Sequence, residues 1–178
     1  MISKTIMARP TEDEYGPYYG KYISLVPHQD LIQVLLDQKG NTVQLLKSIS
    51  EDRAGGRYAP DKWSIKEVVG HICDTERIMA YRALRISRGD QTPLPGFEQD
   101  DYVRMACFDL RQLDELTSEF MSIRDTTLSW LRGLDKQAFQ RRGIANNMSV
   151  SVLALAYIIA GHERHHIGIL RERYLQLD

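Results

Sequence analysis

Apolar positions recur at helical spacing in four long stretches of the chain, and every proline falls outside them. The first stretch, from about Asp30 to Ser50, aligns Leu31, Leu35, Leu36, Leu45, Leu46 and Ile49 and carries one costly interior glycine, Gly40. The second has the clearest start. Ser64-Ile-Lys-Glu67 is a capping box, in which serine hydroxyl and glutamate carboxylate each satisfy a backbone N–H of the first turn; Trp63 and Val68 stand at the staple positions around it. This pattern continues through Val69, Ile72, Met79, Ala83 and Ile86 and stops near Gly89. The third opens at Asp109 with Gln112 three residues on, repeats Leu113, Leu116, Phe120, Ile123, Thr127 and Trp130, and ends at Gly133. The fourth begins near Asn147–Ser149 and runs to about Leu175. No stretch alternates convincingly as a strand; the β-branched run at Val150 leads directly into a helical pattern.

The predicted fold is therefore all-α, a four-helix bundle. Residues 1–27, with Pro10, Pro17, Pro27 and four tyrosines, read as an extended N-terminal arm lying on a bundle domain of residues 28–178. The connection from Gly89 to Phe108 holds Pro93, Pro95 and Gly96 and, fully extended, spans on the order of 60 Å. A helix of about 24 residues is only about 36 Å long. This crossover can carry the chain the full length of the bundle, which makes an up-down-down-up order available.

Composition narrows the function classes. Apolar residues make up 43% and charged residues 26%, the balance of a chain that buries a core rather than staying disordered. The net charge is −1, without the sustained basic excess of a nucleic-acid or membrane-surface binder. The longest apolar run, Val150 to Gly161, falls well short of the roughly 20 residues a bilayer requires. Cys73 and Cys107 are too few for a disulfide framework, and the start has no signal-like apolar run, so a cytoplasmic location is expected.

The chemistry lies in the histidines. Five occur, and three crowd into Gly161-His162-Glu163-Arg164-His165-His166. His162 and His166 lie one turn apart, about 40° from each other, within the apolar stripe of Leu155, Ile158, Ile159, Ile169 and Leu170. His165 falls nearer the stripe's edge. An inward pair can be two core imidazoles satisfied by hydrogen bonds, or two ligands of one metal. His71, on the flank of the second helix's apolar arc, tips the balance, because three inward imidazoles bury several polar nitrogens that need partners. Helical rise puts the three at a common depth if the second and fourth helices are antiparallel, as in the up-down-down-up order. Cys73 faces away from His71, about 200° round. Asp74 and Glu163 are candidates for support behind the histidines, though each also reads as an ordinary solvated helix charge. His162-Glu163-Arg164-His165-His166 is also a literal H-E-x-x-H, the zinc-peptidase pattern. That reading lacks a downstream third ligand and the strand that edges such a cleft.

The segment Tyr58-Ala-Pro-Asp-Lys-Trp-Ser-Ile-Lys-Glu-Val-Val-Gly-His71-Ile-Cys-Asp74-Thr-Glu76 resembles the second-helix signature of the DinB-like, YfiT-type metal-dependent hydrolases. Ala160-Gly-His162-Glu-Arg-His-His166-Ile-Gly-Ile-Leu170 resembles their fourth-helix signature, and the likeness runs from about Asp30 to the C-terminus. The resemblance implies an up-down-down-up bundle, commonly a homodimer, with His71, His162 and His166 holding one divalent metal, Zn²⁺ or Ni²⁺. It further implies hydrolysis, or transfer of a low-molecular-weight thiol such as bacillithiol, mycothiol or glutathione. One departure is visible: Ile169 stands where many relatives carry glutamine.

Three imidazoles without an anionic ligand leave a metal its full charge and an open position, the pattern of a catalytic rather than a closed structural site. Such a metal activates water or a thiol for attack on a small electrophile. From another class, a non-catalytic metal- or ligand-binding stress-response bundle fits the same residues. The depth estimate places the histidines near one end of the bundle, by the 50–63 loop and the C-terminal turns. There the arm from Pro10 to Pro27 and the Pro93–Tyr102 loop are long enough to frame a mouth, or simply to pack over the bundle's edge.

Overall fold

The computed structural model describes residues 8–177. After the single turn α1 (Gly20–Ile23) come the four long helices, α2 (Leu31–Lys47), α4 (Ile65–Ser87), α6 (Leu113–Gly133) and α8 (Val152–Ile169). Short helices α3 (Glu51–Ala54), α5 (Gln99–Ala106) and α7 (Lys136–Gln140) sit in the connections. Local chemistry sets the boundaries. The Asp30 carboxylate accepts from Ile32 N at 3.1 Å to start α2. At α4, Glu67 N donates to Ser64 Oγ at 3.0 Å and Ser64 N donates to Glu67 Oε2 at 2.7 Å, completing the capping box. Beyond Ile169 the backbone continues in π-helical turns over Leu170–Leu175.

Two starts differ from the sequence expectation. The third long helix opens at Leu113, capped by Gln112, rather than at Asp109. The Asp109 carboxylate is already engaged, accepting from Ser64 Oγ at 2.5 Å and from Arg57 Nη2 at 2.7 Å, and so pins its turn to the head of α4. The last long helix opens at Val152 instead of Asn147–Ser149, because β1 (Arg142–Ala145) and β2 (Met148–Ser151) form an antiparallel hairpin before it. Asn146 and Asn147 turn that hairpin with φ of 50° and 59°, the paired left-handed conformation a two-residue hairpin loop demands. The crossover is also more ordered than a plain loop. It contains α5, and Leu94 adds to the hairpin edge, donating to Ile144 O and accepting from Asn146 N, both at 2.9 Å.

The core is two apolar clusters with a polar layer between them. One gathers Leu31 and Leu35 of α2, Met79, Ala83 and Ile86 of α4, Leu128 and Leu131 of α6, and the first half of α8. The other gathers Leu45 and Leu46, Ile65 to Cys73, Leu113 to Phe120, and Leu170. The end of α4 thus packs with the start of α8, and the start of α4 with the segment after α8. Between the clusters, each long helix contributes polar side chains: Gln38 and Thr42, Glu76, Arg124, and Glu163. Arg124 is fully buried, bonding Glu76 at 2.8 to 3.2 Å and donating from Nη1 to Leu35 O at 3.1 Å.

The described part of the arm is held into this core. Arg9 donates to Val26 O at 2.9 Å and to Ile23 O, and Tyr22, Ile23 and Val26 are buried. Gly161 permits the approach, since a Cβ there would stand 2.0 Å from Tyr22 O. Among the described residues, no helix is long and apolar enough to cross a membrane.

Candidate metal centre

The second turn of α4 and the last turns of α8 bring His71, His162 and His166 together. His71 Nε2 and His162 Nε2 are 3.0 Å apart, and one ligating nitrogen from each of the three residues lies within 4.8 Å of the others. Two imidazole nitrogens bound at 2.0–2.1 Å to one tetrahedral cation would stand about 3.3 Å apart, so small ring movements accommodate an ion. Aromatic rings fix the imidazoles from both sides. Trp63 lies 4.7 Å from His71 and stacks on His166 at 6.4 Å, while Tyr22 meets His162 edge-on at 5.3 Å. His165 contacts the Tyr22 and His166 rings from the rim and is not one of the three.

Burial removes the basicity of these imidazoles. It pulls His71 from 6.5 down to about 4, and, with the positive charges of His71, His165 and Lys21 adding to burial, holds His166 at about 2. His162 is driven well below its ordinary value by burial and then by the neighbouring histidines. All three are neutral near pH 7, the form that offers a lone pair to a metal. Among the described residues no carboxylate or thiol joins them.

Glu163 corrects the picture of an exposed helix charge. It is 1% exposed, and its carboxylate accepts from Thr42 Oγ1 at 2.6 Å and from Arg124 Nη2 at 2.7 Å. Burial raises its pKa and Arg124 opposes that rise. With both oxygens spent in the polar layer, Glu163 is not placed to act as the base of an H-E-x-x-H peptidase. Asp74, the other candidate support, pairs with Arg77 at 3.5 Å and makes no hydrogen bond to a histidine; burial raises its pKa. Cys73 is buried in the apolar cluster, which pushes its thiol up, and Cys107 is exposed. The sequence reading passed over Arg124, although its spacing from Leu116, Phe120 and Leu131 puts it squarely in α6's apolar stripe. A cation in such a stripe signals a buried partner.

A cavity of about 360 Å³ opens on His71 and His162. Tyr18 and Tyr22 of the arm, Thr75 and Arg82 of α4, and Phe97 of the crossover line it, so both expected segments frame the mouth. On the far side of His166, Trp63, Tyr174 and Ile169 line a second hollow, where Ile169 presents an apolar surface.

Comparison with known proteins agrees with this architecture. Residues 35–170 match the family described as the DinB superfamily. A protein of Oceanobacillus iheyensis named "Putative metal-dependent hydrolase OB0413" is 25% identical over 142 residues, 79% of each chain. Among solved structures, Bacillus subtilis YfiT, described as "a probable metal-dependent hydrolase with an unusual four-helix bundle topology", superposes with a TM-score of 0.74. The match covers 96% of this chain and 95% of that one at 16% identity, a likeness of fold.

Proposed function

The chain belongs to the DinB superfamily, and from that premise we propose that it is a metal-dependent hydrolase in which His71, His162 and His166 hold one divalent cation, Zn²⁺ or Ni²⁺. The observation that carries this is the convergence of three neutral imidazoles, two buried and one half-buried, joined by no carboxylate or thiol among the described residues. Held by neutral nitrogens alone, such a cation supplies Lewis-acid activation of water or a thiol near neutral pH. The chain's own residues do the rest. Trp63 and Tyr22 hold the rings in place, and the cavity positions a small electrophile against His71 and His162.

Elemental analysis tests the reading. Purified protein should carry close to one divalent metal per chain, and His162→Ala should lose it. Wild type free of metal, or a variant that keeps it, overturns the proposal. The same centre accommodates a thiol in place of water. Ester and amide substrates assayed with and without bacillithiol, mycothiol and glutathione separate the two: turnover without thiol is hydrolysis, and turnover only with thiol is S-transfer. The proposed assembly is a cytoplasmic homodimer. Light scattering at micromolar concentration should give twice the mass of one chain, and a clean single-chain particle would refute it.

A further inference from the structure

Two arginines are buried as deeply as the leucines around them, and the fold treats them differently. Arg124 meets the carboxylates of Glu76 and Glu163. Arg82, 3% exposed on α4, meets no carboxylate among the described residues. Its Nη2 donates to Pro95 O at 2.5 Å, its Nη1 lies 3.6 Å from Met79 Sδ, and the Phe97 ring centre is 5.9 Å from Cζ. A guanidinium carries five N–H donors, so one carbonyl and one thioether leave most of them unused. A buried cation without a counter-anion is costly. Arg82 lines the cavity that opens on His71 and His162. On the same wall, one turn from His71, Thr75 is 3% exposed and its Oγ1 has no hydrogen-bond partner among the described residues.

We propose that this cavity takes a small organic carboxylate, with its anionic end on the Arg82 guanidinium, a polar group near the middle on Thr75 Oγ1, and its reacting end at His71 and His162. This names the substrate class of the hydrolase proposed above and rests on that reading. Geometry limits the ligand. The Arg82 side chain leans back towards Met79, and Met79 is two turns from His71, so anion and reacting end lie on the order of 10 Å apart along α4. Phe97, Ile158 and Tyr22 suit an apolar spacer. The exposed carboxylates of Glu98 and Asp100, also on the lining, oppose a polyanion such as a nucleotide. A single carboxylate carried in on an apolar stem is the chemistry that remains.

Calorimetric titration with hexanoate and its neutral counterpart hexanamide tests the assignment. The protein as purified should bind hexanoate about ten-fold or more tightly than hexanamide, the difference expected of a charge-assisted hydrogen-bonded pair. Arg82→Met should abolish that preference, and Thr75→Val should leave it. His162→Ala, which removes the proposed metal, should keep it. Equal binding of the two probes overturns the inference. So does a preference that survives in Arg82→Met but vanishes in His162→Ala, which would place the carboxylate on the metal. Should Arg82→Met not fold, the Arg82 Nε–H resonance of wild type must shift with hexanoate and not with hexanamide; no shift overturns the assignment. Metal-free wild type that still prefers hexanoate refutes the hydrolase reading alone. Metal-loaded wild type without the preference refutes the carboxylate alone.

Discussion

Arg124 Nη2 meets Glu163 Oε2 at 2.7 Å, and Glu163 is the residue that follows His162. Successive side chains on α8, about 100° apart, therefore serve different faces: one enters the polar layer between the core clusters, and the other enters the histidine cluster. The buried ion pairs fix the rotation of α8 about its axis, and that rotation aims His162 and His166 at α4. Thr42 from α2 and Glu76 from α4 complete the network, so every long helix has a stake in the geometry of the site.

Arg124→Met leaves Glu76 and Glu163 buried without their cation. It should destabilise the fold by about 3–5 kcal/mol, the usual cost of an uncompensated buried charge. Glu163→Gln should cost less, about 1–3 kcal/mol, because the amide can still accept from Thr42. Urea titration gives both values. If Glu163→Gln instead abolished turnover in a fully folded, metal-loaded protein, the carboxylate would have a catalytic part that its position does not suggest.

Metal-free protein should be sensitive to mild acid. Unfolded, His71 titrates near 6.5; folded, burial holds it at about 4. Below the unfolded value the open chain takes up a proton that the native chain refuses. Stability is therefore full above pH 6.5 and falls as pH drops towards 4, by about 3 kcal/mol for His71 alone. His166, held at about 2, acts in the same direction. Urea midpoints of chelator-treated protein should fall between about pH 7.5 and pH 4.5, and less steeply in His71→Leu. Equal slopes in the two proteins would contradict the account.

Gly161→Ala drives a methyl group into the backbone carbonyl of Tyr22, where no side chain can yield. The arm must lift, at a cost of about 1–3 kcal/mol for overpacking. Limited proteolysis should cut between residues 8 and 27 faster than in wild type, and the Tyr22 contact with His162 should loosen. A variant as stable and as resistant as wild type would mean that the arm merely rests on the bundle.

The parts that were legible in the sequence share a cause. Ser64 and Glu67 cap α4 through bonds made within one turn, and His162 and His166 share a face by helical pitch alone. His71 joins them because apolar periodicity rotates it inward. The parts that were not legible depend on distant partners. Asp109 looked like a helix cap until Ser64 and Arg57 claimed its carboxylate. Glu163 looked solvated because its partners, Arg124 and Thr42, lie 39 and 121 residues away. The hairpin was missed despite a local signal. Asn146-Asn147 tolerates the left-handed turn, but the strands are only four residues each, too short for alternation to stand out.

Ninety-one residues separate His71 from His162, and this spacing sets an order of events during synthesis. At about 5–20 residues per second, a ribosome takes roughly 5–20 s to reach the second histidine after making the first. Once Arg124 has been made it has Glu76 but, for a further 39 residues, not Glu163, and the wall of the cavity supplied by α4 has nothing of α8 opposite it. The nascent chain thus cannot bring its three imidazoles together before α8 has left the exit tunnel. The complete cluster exists only once the bundle has closed, and the cavity that opens on His71 and His162 leaves a way in afterwards, so a cell that lacks the ion would accumulate closed, unfilled protein rather than stalled intermediates.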